Sequence, residues 1–523
     1  MRTTLLIACL AGLLSVARGG SPPAQSTPER GLPEQAPPAA PAAPARTSAE
    51  RPDPNAAELE AELARFLNVY STAAGNSADP LSTDQVIYGG AIPGMLRVLD
   101  PHSVFFDRDQ FEQLRQMQSS VSKGFGSVVS VLPGRVIILQ TQSGSPSQRA
   151  GLLPGDEILG VNDIPLARLD FDQLLQLLGA SRQHPARLVI RRQGTAGLLS
   201  FTMVPAEMQA DSVDRVYRID DGTGYLRITS FEARTAEQLK KAIEKLGGTK
   251  LQALVLDLRE NPGGSVEAGL ETASLFLPPG TRLLSIRGRS SDAENVDVPA
   301  GAQPYRFKLS VLVNDHTASA AEIVAGALQD NDRATLIGTP TFGKGLVQHV
   351  FPLSEETGLA LTTAFYYAPS GRSLQKPLHG GELDAATRTV ARPEFKTAAG
   401  RIVRGGGIEP DIIASPESPG RFGTYLEASA LYTAFATDWL GRHRSEVRRD
   451  LDITPAILDE FQLFLSQRHV RPNLSNWTEV REHMRSRLKQ EILNQSLGVE
   501  AGDEIEVRRD PLLRRALEKM SSQ

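Results

Sequence analysis

The chain has 523 residues and a formal net charge of −5, from 56 basic and 61 acidic residues. This length allows three or four domains with substantial cores, and the interspersed charges exclude a large basic surface for nucleic acid. The single cysteine, Cys9, lies in a segment that we expect to be removed. The mature chain would then contain no disulfide, which suits an exported protein.

Residues 1–20 have the pattern of a secretory signal peptide. A basic residue, Arg2, precedes an apolar run from Leu5 to Val16, and small residues follow. The run is too short for a dependable membrane span. The residues around Cys9 resemble a lipoprotein cleavage box, but the apolar run continues beyond them. We therefore expect export to the periplasm or cell envelope without lipidation.

Two further segments precede the first strands. Residues 21–54 are rich in proline and alanine, which predicts a disordered or polyproline linker. Residues 55–118 are predicted to be helical, because apolar residues recur at helical spacing in Ala56–Tyr70 and Thr83–Leu99. The second of these helices should be kinked or interrupted at Pro93.

From residue 119 to 206 the pattern changes to short strands and turns. Gly144–Asp163 reads GSPSQRAGLLPGDEILGVND, and this run resembles a PDZ domain. The resemblance implies a carboxylate-binding loop at Gly124, Phe125, Gly126 and Ser127. Backbone N–H groups in such a loop can hold a terminal carboxylate while the adjacent strand edge pairs with an extended peptide. For the loop alone, the alternative is a glycine turn in an ordinary small β domain.

Residues 207–415 alternate between strand and helix patterns, which predicts a largely parallel sheet with right-handed crossovers. Residues 416–523 are predicted to form a helical appendage without a catalytic motif, for packing, dimerisation or substrate tethering. The predicted strands are Tyr225–Ile228, Leu251–Leu258, Leu309–Val313, Ala334–Gly338, Leu359–Thr363 and Phe365–Tyr367; the predicted helices are Thr235–Leu246, Ser265–Leu277, one after Ser319, Leu426–Trp439, Thr454–Gln467 and Thr478–Leu493.

Ser319 is a candidate nucleophile, because it lies where a strand ends and a helix begins. A serine hydroxyl needs a base to remove its proton. Lys344, between two glycines and 25 residues after Ser319, could serve if an apolar site keeps its amine neutral. Gln348 could orient that amine. The N–H of Ala320 and those of the turn at 261–264 could form an oxyanion hole.

Each of these residues also has a simpler interpretation. Ser319 and Glu322 match a capping box, in which the serine only caps a helix. Lys344 alone fits a solvated turn, and residues 261–264 alone fit an ordinary turn. A histidine base is disfavoured because neither His316 nor His349 has the context of a catalytic triad. The eight histidines lack the spacing of metal ligands, so no metal site is expected.

Together the pieces resemble the carboxyl-terminal processing (tail-specific) serine proteases of the S41 type, over about residues 60–415. The resemblance implies a multidomain α/β protein: a crotonase-like α/β core with an inserted, mainly-β PDZ domain. It also implies a Ser–Lys dyad, with Ser319 as nucleophile, Lys344 as general base and Gln348 as its orienting partner. The implied oxyanion donors are Ala320 and one glycine of the pair Gly263 and Gly264. The matching pieces are Leu99–Ser103, Asp257–Gly264, Asn314–Gly326, Gly338–Gln348 and Gly406–Asp411.

Two departures from the family's pattern stand out. The run Thr317–Glu322 has alanine at 321 where the family often has serine, but the serine that maps to the nucleophile is retained. The stretch Phe201–Met208 is looser than the family's usual linker, which leaves the coupling between the PDZ domain and the core open.

We therefore expect an exported serine endopeptidase that needs no cofactor and selects protein or peptide substrates by their accessible, apolar C-termini. The PDZ domain would capture the tail, and its position within the protease region suggests that it also gates the dyad. No nucleic acid partner is expected. The resemblance and the N-terminal helices are compatible with a homodimer and with a regulatory partner protein, but the sequence identifies neither. The alternatives are a catalytically silent peptide-binding pseudoprotease and a trypsin-type protease with a PDZ domain; the latter's Gly-x-Ser-Gly type site is not found.

Overall fold

The computed structural model describes residues 56–119, 123–132, 135–142, 144–182, 184–192, 195–207, 211–289, 293–354, 356–376, 393–416, 418–471 and 474–522. The predicted signal peptide and proline-rich linker lie outside these residues. Residues 56–96 belong to one compact unit, and the described residues from 97 onward belong to a second.

The first unit is helical, as predicted. Helix α1 (Ala56–Asn76) runs one and a half turns beyond the predicted end. Helices α2 (Thr83–Val86) and α3 (Ile92–Leu99) are separated by a π-helical turn, Ile87–Ala91, which ends just before Pro93. The predicted interruption is therefore a widened turn at that place. The apolar face of α1 is exposed, with Leu59, Leu63, Phe66 and Leu67 open to solvent. The homodimer stays a prediction.

A β-rich region forms between residues 123 and 207, after β1 (Val104–Phe106) and α4 (Arg108–Ser119). Its main sheet has the order β3-β4-β5-β7-β8, with β6 paired to β5, so β3 lies at an edge. A short pair, β2 with β9, joins its two ends. The elements are β2 (Lys123–Gly124), β3 (Ser127–Leu132), β4 (Arg135–Thr141), α5 (Pro146–Ala150), β5 (Glu157–Val161), β6 (Ile164–Pro165), α6 (Phe171–Ser181), β7 (Ala186–Arg191), β8 (Leu199–Met203) and β9 (Ala206–Glu207).

The second region is built on a six-stranded sheet of order β10-β11-β12-β15-β16-β21. Only the β10–β11 pair is antiparallel, which confirms the predicted, largely parallel sheet. Its elements are β10 (Val213–Arg218), β11 (Thr223–Ile228), α7 (Thr235–Leu246), β12 (Ala253–Asp257), α8 (Val266–Ser274), β13 (Arg282–Gly288), β14 (Glu294–Asp297), β15 (Lys308–Val313), α9 (Ala320–Asp330), β16 (Thr335–Gly338), β17 (Leu346–Pro352), β18 (Gly358–Tyr367), β19 (Glu394–Lys396), β20 (Ile402–Arg404) and β21 (Ile412–Ile413).

Strand β18 organises a second sheet beside the first. It pairs with β17 on one side and with β1 and β13 on the other. The sequence predicted two strand pieces here, Leu359–Thr363 and Phe365–Tyr367, whereas the structure has one continuous strand. A continuous strand forms because β17, whose apolar and polar residues do not alternate clearly, supplies a partner along almost its whole length.

The remaining helices follow in the order α10 (Gly420–Ala428), α11 (Leu431–His443), α12 (Pro455–Gln467), α13 (Leu474–Leu497), α14 (Val499–Arg509) and α15 (Pro511–Ser521). Helices α10 to α13 share a core, which Ala501 of α14 joins. Further along, α14 and α15 pack on the parallel sheet: Val507 and Leu512 join the cluster that contains Val255 and Leu312. Helices α7, α8 and α9 cover the opposite face. Within the described residues, no helix is both long enough and apolar enough to cross a membrane.

Candidate active site

Ser319 lies in a strained turn between β15 and α9. Its backbone has φ 54° and ψ −120°, which a non-glycine residue adopts at a cost on the order of 1–3 kcal/mol. A serine on a sharp strand-to-helix turn presents its hydroxyl at the top of a sheet, as in a nucleophile elbow. The side chain is only partly buried, although Ala320 beside it is wholly buried. This geometry holds an accessible hydroxyl at the carboxyl end of a parallel strand.

Ser319 also belongs to a capping box, as the sequence allowed. The Ser319 N–H donates to Glu322 Oε2 at 3.0 Å, and the reciprocal pattern is present. However, an ordinary N-cap residue is extended, and the positive φ of Ser319 is not needed for capping. The capping box therefore accounts for the pairing with Glu322 but not for the strain.

Glu322 joins the serine turn to the loop that carries Lys344. Its carboxylate also accepts hydrogen bonds from the Thr341 hydroxyl, from the Gly343 N–H at 2.7 Å and from the Lys344 N–H at 2.8 Å. The side chain has no exposed surface. Burial raises the pKa of Glu322, although these donated bonds act in the opposite direction. A second link, from the Phe342 N–H to the Thr317 carbonyl at 3.0 Å, fixes the two segments side by side.

Lys344 is half-buried, and its ammonium group makes no hydrogen bond or ion pair with any residue that the structure describes. Of the apolar residues close to it in sequence, Leu346 is buried, whereas Phe342 is half-exposed. No hydrogen bond joins the Ser319 hydroxyl to Lys344 within the described residues. The structure thus aligns the backbones of the two residues and leaves the amine unengaged.

Gln348 is exposed, and its amide nitrogen donates to the carbonyl of His102 at 2.8 Å. His102 belongs to the Leu99–Ser103 piece, which is anchored by Asp100: the Ser103 hydroxyl and the backbone N–H groups of His102 and Ser103 all donate to its carboxylate. No hydrogen bond to Lys344 is formed. The bond to His102 nevertheless fixes the orientation of the Gln348 amide and leaves its oxygen free to accept a hydrogen bond.

The turn at residues 261–264 packs directly against Ser319. The Ala318 N–H donates to the Asn261 carbonyl at 2.9 Å, and a Cβ at Gly263 would lie 2.7 Å from Ser319 Cβ. The Gly263 N–H is already used, because it donates to Asn261 Oδ1 at 2.8 Å. By contrast, the N–H groups of Gly264 and Ala320 donate to no group in the described part of the chain. Two free backbone donors therefore flank the serine turn.

A buried ion pair supports this turn from below. Asp257, at the end of β12, accepts hydrogen bonds from Arg259 and from the Tyr225 hydroxyl at 2.6 Å. Arg259 also donates to Asp510 at 2.6 Å, at the start of α15. Burial would raise the pKa of Asp257, but the Arg259 charge and these hydrogen bonds hold it below its ordinary value. Asp257, the first residue of the Asp257–Gly264 piece, is thus a structural anchor for the turn at residues 261–264.

The predicted carboxylate-binding loop joins β2 to the edge strand β3. Gly124 pairs with Ala206, Gly126 has φ 71°, and the Ser127 hydroxyl donates to that of Ser147 at 2.6 Å. The N–H groups of Phe125 and Gly126 donate to no group among the described residues. The loop therefore offers two adjacent backbone donors beside a free strand edge.

Apolar side chains of β3 and α6 pack against the same core. Val129 and Val131 of β3, together with Leu177 and Leu178 of α6, are partly buried against the core of this region. A strand edge, an apolar helix face and free N–H groups are the parts of a site that binds a peptide by strand addition.

Sequence reasoning missed Glu322 as the link between the two loops, because its capping-box spacing already explained it. The signal was a glutamate on a helix whose other residues are almost all apolar or small. Asn261 was likewise interpreted only as part of a turn. Among the described residues, no group of three or more His, Asp or Glu side chains could hold a metal ion.

Comparison with known proteins gives two matching families. The sequence pattern of peptidase family S41 matches residues 222–386, and that of the PDZ domain matches residues 137–192. The carboxy-terminal-processing protease of Bartonella bacilliformis is 35% identical over 319 residues, which cover 60% of this chain and 73% of that protein. The carboxyl-terminal-processing protease of Synechocystis is 34% identical over 302 residues, which cover 55% and 68%.

Among solved structures, a photosystem II D1 C-terminal processing protease is similar, with 25% identity and a TM-score of 0.39. The match covers 70% of this chain and 89% of that one.

Proposed function

The chain belongs to the S41 family of carboxyl-terminal-processing serine proteases, and we propose that it cleaves peptide bonds with a dyad of Ser319 and Lys344. The observation that carries this assignment is the shared carboxylate oxygen. The N–H groups of Ser319 and Lys344 both donate to Glu322 Oε2, at 3.0 and 2.8 Å. The two backbone nitrogens are therefore no farther apart than these two bonds together.

In the first chemical step, Lys344 in its neutral amine form takes the proton of the Ser319 hydroxyl while the oxygen attacks the scissile carbonyl carbon. The oxyanion that forms would be held by the N–H groups of Gly264 and Ala320 at the start of α9, where the helix dipole also favours negative charge. We prefer Gly264 to Gly263 because the N–H of Gly263 is already bound to Asn261.

Collapse of the intermediate breaks the C–N bond, and the Lys344 ammonium returns the proton to the leaving amine. Water then attacks the ester on Ser319, with Lys344 again accepting the proton. Collapse of this second intermediate breaks the bond between the acyl carbon and the Ser319 oxygen, and the Lys344 ammonium returns the proton to that oxygen. Gln348 would orient the amine through its side-chain oxygen, since its nitrogen is held by the His102 carbonyl.

Substrates would be selected by their C-terminal tails. The N–H groups of Phe125 and Gly126 would bind the terminal carboxylate, and the tail would pair with the edge of β3. The partly buried side chains of Val129, Val131, Leu177 and Leu178 favour an apolar tail. Export remains part of the proposal and rests on the signal-peptide pattern of residues 1–20. The crotonase-like assignment of the core rests on the resemblance to the S41 family.

The test compares three proteins that lack residues 1–20: the parent, Ser319→Ala and Lys344→Ala. Each is incubated with an unfolded substrate that ends in small apolar residues, and the fragments are identified by mass spectrometry. We expect cleavage by the parent alone, insensitive to chelators. Cleavage that survives Ser319→Ala would overturn the assignment of Ser319 as the nucleophile. Tail binding without cleavage by any of the three would favour the pseudoprotease.

A further inference from the structure

A cavity of about 790 Å³ lies at the end of the parallel sheet opposite to Ser319. Lys308 and Leu309, at the start of β15, line it, whereas Ser319 follows the end of the same strand. At roughly 3.3 Å per residue, β15 alone separates the two places by about 17 Å. Strand β20 and the start of β16 complete the walls. This cavity is therefore separate from the active site, and its volume is typical of a site for a small ligand.

The lining is strongly basic. Seven basic side chains face three acidic ones: Arg306, Lys308, Arg333, Arg372, Arg401, Arg404 and Lys519 against Asp332, Glu409 and Asp411. The acidic side chains are already paired within the wall. Arg401 binds both Asp332 and Asp411, and Arg404 lies 3.9 Å from Glu409. The excess of positive charge is therefore carried by the other residues.

Four of the lining cations have no carboxylate partner among the described residues: Arg306, Lys308, Arg333 and Lys519. Lys308 donates to the carbonyl of Met520 at 2.7 Å. The side chains of Arg306 and Lys519 make no hydrogen bond within the described residues. The charges of all four are thus available to a ligand.

Arg333 is held rigidly in this wall. Its guanidinium donates to the carbonyls of Phe276 at 2.9 Å, Tyr305 at 3.0 Å and Phe307 at 2.8 Å. Carbonyl groups fix its position but do not neutralise its charge. Burial, with no opposing charge, lowers the pKa of Arg333. An anion in the cavity would supply the missing countercharge to a donor that is already oriented.

Arg372 belongs to the same wall, but its charge is already balanced. Its side chain is wholly buried and binds Asp330 and Gln329. Arg372 therefore supports the wall and is not counted among the four available charges.

We propose that this basic cavity binds a ligand that carries two or more phosphate or sulfate groups. Several fixed cations around one cavity match several anionic groups, and arginine is suited to phosphate recognition. A small soluble molecule or a lipid headgroup could present this chemistry, and the experiment must separate the two sources.

The protein that lacks residues 1–20 would be titrated with inorganic tripolyphosphate. Binding would be followed by calorimetry and by thermal unfolding, at low and at high salt. In parallel, it would be mixed with vesicles of phosphatidylglycerol and with neutral phosphatidylcholine vesicles as a reference. The test variant is Arg306→Gln combined with Lys519→Gln, because neither side chain has a partner whose loss would disturb folding. The matched control is Arg515→Gln, which removes one charge from the same helix α15 outside the cavity.

We expect tripolyphosphate to raise the unfolding temperature, with an effect that weakens at high salt. The double variant should bind roughly tenfold or more weakly, whereas Arg515→Gln should bind like the parent. Binding to phosphatidylglycerol vesicles alone, lost in the double variant, would support the site and assign the lipid source. Equal binding by the parent and the double variant, or binding to neither probe, would overturn the proposal.

Discussion

The backbone N–H groups of Ser319 and Lys344 donate to one and the same oxygen, Oε2 of Glu322. This relationship holds the backbones of the proposed nucleophile and the proposed base close together, whatever the positions of their side chains. It also separates two tasks. In the proposed mechanism, Glu322 positions the two residues, while the hydroxyl of Ser319 and the amine of Lys344 carry out the chemistry.

Removal of either member of the dyad should abolish cleavage without unfolding the protein. We expect Ser319→Ala and Lys344→Ala to lower kcat by roughly four orders of magnitude or more. Since the Lys344 ammonium has no partner in the described chain, its loss should change the free energy of unfolding by no more than about 0.5 kcal/mol. Peptide cleavage and thermal unfolding measure the two effects. Lys241→Ala, on the exposed face of α7, is the control.

Glu322→Gln should lower both stability and kcat. The amide can no longer accept from all its donors, so buried N–H groups lose partners at a cost of about 2–4 kcal/mol. The loop of Lys344 should then shift against Ser319, and a displacement of about 1 Å can cost roughly 100-fold in rate. KM should change little, and Glu237→Gln, at an exposed site, should behave like the parent. If kcat of Glu322→Gln is unaltered at temperatures where this variant is fully folded, Glu322 stabilises the fold but does not position the two residues.

The two glycines of the turn should respond differently to alanine. At Gly264 a Cβ would lie 2.2 Å from the Phe231 carbonyl oxygen, so Gly264→Ala should destabilise the fold by about 3 kcal/mol or more. At Gly263 the Cβ would meet Ser319 itself at 2.7 Å. Gly263→Ala should therefore lose activity out of proportion to stability.

Gly280→Ala is the control for backbone strain, because Gly280 has φ +76° and open space around it. Thermal unfolding and cleavage rates of the three variants should be compared. If Gly263→Ala loses no more activity than Gly280→Ala, the proposed closeness of this turn to the reacting atoms is wrong.

Blocking the substrate's terminal carboxylate should weaken recognition without slowing chemistry. A peptide with a C-terminal amide cannot accept as a charged group from the N–H groups of Phe125 and Gly126, so KM should rise roughly tenfold or more. The same peptide with a free carboxylate is the matched control, and kcat should be equal for both. Deletion of residues 119–206 adds a second measurement: a gate predicts altered basal activity, and a tether predicts a raised KM alone.

The Asp257–Arg259 pair should make stability depend on pH in acid. The pKa of Asp257 is held below its ordinary value of 3.8, so the folded state favours the ionised form. Its contribution is fully present above about pH 4 and is lost as the pH falls below that value. Asp257→Asn leaves Arg259 less compensated and should cost about 3 kcal/mol at neutral pH.

Chemical denaturation of both proteins between pH 3 and 7 would check this prediction. The stability difference between them should shrink toward the acid end. A difference that stays constant over the whole range would show that ionisation of Asp257 contributes nothing.

The sequence was informative wherever a local pattern decides the structure. Strand β15, helix α7 and the helix after Ser319 were predicted because their apolar spacing is regular and their ends carry turn residues. The continuity of β18 was missed, since it depends on pairing with β17, which is a contact between segments. Helices α14 and α15 were not resolved from the charged C-terminal region for a similar reason: only their packing on the sheet distinguishes them.

In the candidate site, too, some features follow from the local sequence and others depend on contacts between distant segments. Ser319, Lys344, Gln348 and Ala320 could be named from spacing and from resemblance. The choice between Gly263 and Gly264 could not, because it depends on which N–H the side chain of Asn261 occupies. The sharing of Glu322 by two loops is equally a three-dimensional fact, which no spacing along the chain encodes.

Helices α14 and α15 cover one face of the parallel sheet whose opposite face carries α9 and Ser319. These helices leave the ribosome long after the serine turn and the lysine loop have been made. A nascent chain therefore holds every group of the dyad while one side of the sheet beneath it is still bare. The burial of Val255 and Leu312, and with it the completed core on that face of the sheet, would arrive only with this late segment.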